Sequence, residues 1–334
     1  MNHPCYICGL GVCVPPRVVT NHDMEKMVDT SDEWITSRTG IKERHLLSEG
    51  QNASDCGAEA ARAALDDAGL HPGDVTHLLV ATCTPDYLCP STACIIADKI
   101  GISPIAGKMG NVMCMDFNAA CSGFIYGLEL ARSIVRSNPE AVVLLVAAEA
   151  LSRRTNFSDR STCVLFGDAA GAVVVRADGG KTLWQIQDVI CASDGTSHDL
   201  ITIGGGSASS VQVGDSITPD WFISMQGMAV FRHAVLSMTE KSRYILERNG
   251  MDIHEIDLFI PHQANQRIIS AVGERLGLEE KRVFANVNKY GNTSSASIPL
   301  AMEEARAQGI LLPGMKVLLT GFGGGMTMGA ALLS

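Results

Sequence analysis

His77-Leu78-Leu79-Val80-Ala81-Thr82 is an apolar run that follows a helix-like stretch, Ala58 to Ala68, and the turn Gly69-Leu70-His71-Pro72-Gly73-Asp74-Val75. The same order returns in the second half of the chain. Ser242 to Asn249 leads through Gly250-Met251-Asp252-Ile253-His254-Glu255-Ile256 to Asp257-Leu258-Phe259-Ile260-Pro261, with His262 next. Gly marks each helix end, and a short apolar run of strand length follows each turn. The echo extends outward. A helix over Thr92 to Ile100, closed by Gly101, parallels one over Asn265 to Leu276, closed by Gly277. Val112 to Phe117, with its turn at Cys121, parallels a strand at Val283-Phe284-Ala285-Asn286-Val287, with its turn at Tyr290-Gly291-Asn292-Thr293-Ser294-Ser295. Ala141 to Ala147 parallels Met315 to Thr320. Two copies of strand–helix–strand–helix–strand predict a duplicated α/β fold. The halves, residues 1–176 and 177–334, should pack about a pseudo-two-fold axis. Matched turns then meet in the middle, which brings Cys121, His262, Asn292 and the glycines near 324 together.

The bulk numbers fit such a fold. The chain has 334 residues, 46% hydrophobic content, 33 glycines and 5% aromatics, enough for one large or two medium domains. A net charge of −10 argues against nucleic acid as the main partner. Met1-Asn2-His3-Pro4-Cys5 lacks the basic start and apolar stretch of a signal peptide, and no apolar run has the length of a membrane span. Eleven cysteines, an odd number, fit reduced thiols in a cytoplasm. The pair Cys5 and Cys8 lies in a strand-like run with no second pair at zinc spacing, so no metal site is expected. Those two, with Cys13, Cys83, Cys94, Cys114 and Cys163, read as small core residues. Gly204-Gly205-Gly206 and the serines after it read as a flexible loop.

Cys121 differs from the other cysteines. It stands in Asn118-Ala119-Ala120-Cys121-Ser122-Gly123-Phe124, after a strand and before a helix whose apolar face is Phe124, Leu128, Ala131 and Val135. A helix N-terminus favours thiolate, so Cys121 is a candidate nucleophile. His262 ends a strand, where open α/β folds place ligands. Asn292 alone is a common turn or N-cap residue, and only the repeat draws it toward Cys121. Gly321-Phe322-Gly323-Gly324-Gly325 follows a strand but lacks dinucleotide-binding spacing; its N–H groups suit an oxyanion. A Cys, His and Asn set supports two chemistries. The thiolate can take an acyl group from a thioester while His and Asn hold a second carbonyl, or His can act as base and Asn as orienter in a cysteine protease.

Taken with Asp32-Glu33-Trp34-Ile35, Arg38-Thr39-Gly40-Ile41, Phe166-Gly167-Asp168-Ala169-Ala170-Gly171-Ala172 and Pro261-His262-Gln263-Ala264-Asn265, these segments span the chain. In that order the chain resembles the condensing enzymes of the thiolase superfamily, most closely the β-ketoacyl-acyl-carrier-protein synthase III group. The resemblance implies a thiolase-like fold in an α-β-α-β-α layering. It implies that Cys121 takes an acyl group from acyl-coenzyme A, with the N–H groups of Cys121 and Gly324 as oxyanion hole. Malonyl-acyl carrier protein would follow, held by His262 and Asn292 as carbon dioxide leaves, with Phe322 beside the thiolate. No metal or organic cofactor is implied, since decarboxylation generates the nucleophile. Trp34 would stack on the adenine of coenzyme A, with Arg160 on the opposite face of the base. Arg38 would meet the phosphates, and Thr30, Gly227 and Asn265 would line the path. Arg232 and Arg267 would greet the carrier protein. Without the resemblance, Trp34 is an ordinary buried aromatic and these arginines are solvated charges.

The resemblance also implies a cytoplasmic homodimer in which the loop holding Cys89 floors the partner's acyl pocket. An aromatic residue is familiar there, so Cys89 points to branched or longer primers. Met326-Thr327-Met328 and Glu274 are further departures from the family pattern. Two other functions stay open: an acyltransferase or ketosynthase of secondary metabolism, and a non-catalytic partner subunit. The latter should lack the nucleophile that Cys121 supplies.

Overall fold

The computed structural model describes residues 3–102, 112–177, 182–206 and 221–334. The first half supplies β1 (Tyr6–Cys13), β2 (Arg17–Thr20), α1 (Asn21–Met24), α2 (Asp32–Thr39), β3 (Glu43–Leu46) and α3 (Ala53–Ala68). It continues with β4 (His77–Ala81), α4 (Thr92–Ile100), β5 (Met113–Phe117), α5 (Gly123–Ser137), β6 (Val143–Glu149) and β7 (Ala169–Arg176). The second half supplies β8 (Trp184–Ser193), β9 (Ile201–Ile203), β10 (Ile223–Met225), α6 (Gly227–Arg248), β11 (Leu258–Pro261) and α7 (Gln266–Leu276). Then come α8 (Val287–Tyr290), α9 (Ser297–Ala307), β12 (Val317–Gly323) and β13 (Thr327–Leu333).

Nine strands are linked in the order β11-β12-β13-β8-β1-β7-β6-β4-β5. Outward from the middle, β1-β7-β6-β4 repeats the sense of β8-β13-β12-β11. In each, two antiparallel pairings are followed by a parallel one. β1 and β8 meet over only two residue pairs, Tyr6 with Gln185 and Ile7 with Trp184. The parallel strands inside the sheet and β11 are buried nearly along their length because helices cover both faces, and every residue of β6 is buried; β5, at the other edge, is only half-buried.

Helices α5 and α9 form the central layer. The predicted stripe Phe124, Leu128, Ala131 and Val135 on α5 is fully buried, together with Ile298, Ala301, Met302 and Ala305 of α9, against strands of both halves. Burial of each large apolar side chain there contributes about 2 kcal/mol. Helices α3 and α4 cover the outer face of the first half, and α6 and α7 that of the second. The result is the α-β-α-β-α layering.

The echo is closest at the two central turns. Ala120, before Cys121, and Ser294, before Ser295, both adopt left-handed backbone, φ 46° and 50°. Each opens a single 3₁₀ turn that runs directly into a central helix, α5 or α9. A left-handed non-glycine residue costs about 1 kcal/mol, so the shape is imposed by the packing around it.

Several expectations need correction. Val283 to Val287 is no strand: one parallel bridge joins Phe259 to Val283, and α8 begins at Val287. The side chain of Gln263 captures the Asn286 N–H at 2.9 Å, which takes it out of any ladder. Asn265 lies outside its helix as the N-cap. Cys13 and Cys56 are paired as a disulfide with Cα atoms 5.4 Å apart, against the expectation of thiols throughout. Cys94 is exposed rather than in the core, because Ala93, Ile96, Ala97 and Ile100 take the inner face of α4. The serines that follow Gly206 lie outside the described residues.

Candidate active site

Two cavities meet at Cys121. One, about 260 Å³, is lined by Cys121, His262, Asn292, Phe322, Trp34 and Arg38, with Gly227 and Asn265 further along its wall. The other, about 700 Å³, is lined by Cys121, Gly324, Ser294, Phe166, Arg154 and Trp221 among others. Cys121 lies on the wall of both, and the larger one also carries the exposed Tyr87 and Leu88.

The Cys121 turn is stitched to the glycine turn. Thr327 Oγ1 donates to Ala119 O at 2.8 Å and lies 3.3 Å from Gly324 O, and Ser122 Oγ donates to Thr327 O at 3.1 Å. A Cβ on Gly323 would lie 2.5 Å from the Cys121 nitrogen. Only glycine permits this approach, which sets Gly324 on the cavity wall that Cys121 shares. The departure at Thr327 thus has a structural role, as the clamp between the two turns.

Burial pushes the Cys121 thiol up to about 12; a hydrogen bond with Ser294 opposes the rise and the Glu149 carboxylate adds to it. The free enzyme therefore holds a thiol, not the thiolate that the helix N-terminus alone suggests. Alkylation of Cys121 by iodoacetamide, followed by the mass of its peptide, should rise about tenfold per pH unit between pH 6 and 9. A plateau below pH 8 would show instead that the helix end outweighs burial.

His262 is 2% exposed. Its N–H on the backbone donates to Thr320 O at 2.8 Å, which joins β11 to β12. Nδ1 lies 2.6 Å from Ser297 Oγ at the start of α9, and that oxygen also accepts the Gln263 N–H at 3.3 Å. With Ser297 donating to Nδ1, the proton sits on Nε2, facing the cavity. Burial pulls the imidazole down to about 3, so it is neutral in the physiological range.

Asn292 serves both of its readings. Its Oδ1 accepts the Ser294 N–H at 2.9 Å, as a turn residue does. That contact turns the amide NH₂ toward the cavity as a donor. Its backbone is pinned to Leu165 O and Gly167 N, at 2.8 and 3.0 Å. A Cβ on Gly167 would lie 2.3 Å from Tyr290 O, so this glycine lets the two loops touch. Buried Asp168 holds the segment by accepting from Leu47 N–H and Ser152 N–H, both at 2.8 Å.

Other predicted residues divide. Arg160 lies directly on the Trp34 ring, 4.4 Å from its centre, and donates to Asp29 O. The expected slot between them is closed, and a base can enter only when one of the pair moves. Thr30 has a buried hydroxyl without a partner and does not line the smaller cavity. Arg232 and Arg267 are exposed, Arg267 over the Phe231 ring at 5.5 Å. Cys89 is exposed and lines neither cavity of its own chain, whereas Tyr87 and Leu88 line the larger one.

Sequence reasoning passed over Ser294, Ser297 and Glu149. Glu149 is buried under the Cys121 turn and accepts from Thr84 Oγ1 and Ser295 Oγ, both at 2.7 Å. A lone acid at the C-terminal end of an all-apolar strand was its signal. The two serines belong to the turn that matches that of Cys121.

Known proteins share this arrangement. Residues 115–195 match the family description 3-oxoacyl-[acyl-carrier-protein (ACP)] synthase III, and residues 246–334 match its C-terminal part. Beta-ketoacyl-[acyl-carrier-protein] synthase III of Nitratidesulfovibrio vulgaris (strain DSM 19637 / Miyazaki F) is 57% identical over 98% of this chain and 97% of its own. The protein of that name from Aliarcobacter butzleri is 45% identical over 97% and 96%. The crystal structure of 3-oxoacyl-[acyl-carrier-protein] synthase III from Aquifex aeolicus VF5 superposes with a TM-score of 0.88 at 42% identity, covering 98% and 99% of the two chains. The priming beta-ketosynthase from the R1128 polyketide biosynthetic pathway also reaches 0.88, at 33% identity over 99% and 96%. On this fold, this site and this degree of identity, the chain belongs to the 3-oxoacyl-[acyl-carrier-protein] synthase III family of condensing enzymes.

Proposed function

We propose that this enzyme starts fatty-acid chains by condensing an acyl group from acyl-coenzyme A with malonyl-acyl carrier protein. The Cys121 sulfur attacks the primer's thioester carbonyl. The oxyanion is held by the N–H groups of Cys121 and Gly324; coenzyme A leaves as its thiol with the proton from Cys121. Malonyl-carrier protein then places its thioester carbonyl between His262 Nε2–H and the Asn292 NH₂. As the C–C bond to the carboxylate breaks, charge moves onto that oxygen. Two neutral donors suit it, and each is worth about 3 kcal/mol as charge builds. The carbanion attacks the acyl-cysteine; a C–C bond forms, the C–S bond breaks, and Cys121 regains a proton. Phe322 keeps water from the departing carbon dioxide. The product is 3-oxoacyl-carrier protein.

The observation that carries this reading is the one cavity shared by a nucleophile and two uncharged donors. Trp34, Arg38, Arg160, Gly227 and Asn265 would serve coenzyme A, with Arg160 moving off Trp34 as the adenine enters. Arg232 and Arg267 would meet the carrier protein in a cytoplasmic homodimer, where Cys89 faces the partner's pocket. The test is incubation with acetyl-, isobutyryl- and longer acyl-coenzyme A plus malonyl-carrier protein. A 3-oxoacyl-carrier protein should be found by mass; no product with any primer would end the proposal. The likeness to a priming polyketide ketosynthase supports a second reading, the same chemistry used in secondary metabolism.

A further inference from the structure

The 700 Å³ cavity at Cys121 contains a cation that the mechanism leaves unused. Arg154 ends the turn Leu151–Arg154 after β6 and lines this cavity together with Cys121. Its guanidinium lies over the Trp221 ring, 4.6 Å from the centre. Among the described residues its guanidinium makes no hydrogen bond and no ion pair with a carboxylate. Arg160 differs: it also lies on a tryptophan, but bonds to Asp29 O at 2.9 Å.

Among the described residues two carboxylates line the cavity, and both are committed elsewhere. Asp86 accepts from Ser54 N–H at 3.0 Å and from its hydroxyl. Asp116 accepts the N–H groups of Thr92 and Ala93, at 2.6 and 2.8 Å, at the start of α4. Partial burial pulls the Arg154 side chain below its usual range, the expected cost of taking a charge out of water. A planar guanidinium held over a ring keeps its N–H groups for a partner, and its fork of donors matches a carboxylate in two places. The rest of the wall is largely apolar, with Leu88, Phe117, Ile201, Ile203 and Ile223.

Resting on the acyl-cysteine reading of this same site, we infer that the acyl group loaded on Cys121 carries a carboxylate at its far end, and that Arg154, held over Trp221, selects it. The primer class is then the mono-thioester of a short dicarboxylic acid. The carboxylate takes no part in bond making; it anchors the chain so that the thioester carbonyl rests at the sulfur. Arg154 is a specificity residue, not part of the acyl-transfer machinery.

The test compares two primers of nearly equal shape, succinyl-coenzyme A and 4-methylpentanoyl-coenzyme A, which exchange a carboxylate for an isopropyl group. Glutaryl- and 5-methylhexanoyl-coenzyme A repeat the comparison one carbon longer. In the native enzyme, kcat/KM should favour the carboxylate at one or both lengths by at least about tenfold. Arg154→Met should remove that preference while the branched primer stays within about threefold, and Arg154→Lys should keep part of it. Because the readout is a ratio of primers, a general loss of folded enzyme leaves it unmoved. A native preference for the branched primers at both lengths, or a ratio unchanged in Arg154→Met, overturns the inference. Failure of every primer, acetyl-coenzyme A included, to acylate Cys121 overturns the proposed function instead.

Discussion

Cys121→Ala is expected to abolish acyl transfer from acyl-coenzyme A and yet leave decarboxylation of malonyl-carrier protein running. The two donors that stabilise loss of carbon dioxide, His262 Nε2–H and the Asn292 amide, do not depend on the sulfur. Both are held by their own partners, Ser297 and the Ser294 N–H. Condensation should fall at least about 10⁴-fold, the scale seen when a covalent nucleophile is removed. Acetyl-carrier protein, from quenching of the carbanion by a proton, should accumulate in its place. The checks are intact-protein mass for the acyl adduct and product mass for the carrier protein. An adduct that persists in Cys121→Ala would place the nucleophile elsewhere. Loss of decarboxylation along with acylation would mean that the thiol takes part in both steps.

His262→Ala is expected to give the opposite pattern. Acylation of Cys121 should continue within about tenfold of the native rate, because the oxyanion hole is made of backbone N–H groups on other turns. Decarboxylation and condensation should fall about 10²–10³-fold, the loss typical of one donor to a developing oxyanion. Burst measurement of coenzyme A release isolates the first step, and release of labelled carbon dioxide isolates the second. Equal loss of both steps would make His262 the base for Cys121, which is the protease-like use of the same residue types. The depressed imidazole sharpens the test: with a value near 3, His262 stays neutral across the assay, so decarboxylation in the native enzyme should show no acid limb between pH 5 and 8.

How much of this was legible depended on whether a residue's role is local or borrowed. The helix after Cys121 could be read from spacing, since Phe124, Leu128, Ala131 and Val135 need only the period of one helix to share a face. Asn292 could not; its local signal is a turn, and the structure keeps that turn while aiming the amide inward. The repeat carried it to the site, and it did so although the strand expected before it, Val283 to Val287, is a single bridge. The turn was the conserved part of the echo, not the strand. Ser297 and Glu149 were missed because their roles come from three-dimensional neighbours, His262 and the underside of the Cys121 turn. The disulfide of Cys13 with Cys56 joins β1 to α3 across 43 positions of sequence, and nothing in either local segment marks the other as its neighbour. Arg154 is invisible for the same reason, as one of two adjacent arginines with only the cavity to distinguish it.

The short seam between β1 and β8 bears on how this enzyme comes into being. Backbone pairing across it covers two residues a side, so the halves cohere largely through other contacts: the side chains of α5 and α9, and the backbone bonds of Asn292 to Leu165 and Gly167. The nucleophile is carried at the start of α5, and Ser297 at the start of α9. Opening the seam would part Cys121 from Gly324 and Ser295 from Glu149 in one movement. Assembly of the catalytic groups and completion of folding are therefore a single cooperative event, and a chain with one half unformed has no weak activity to lose.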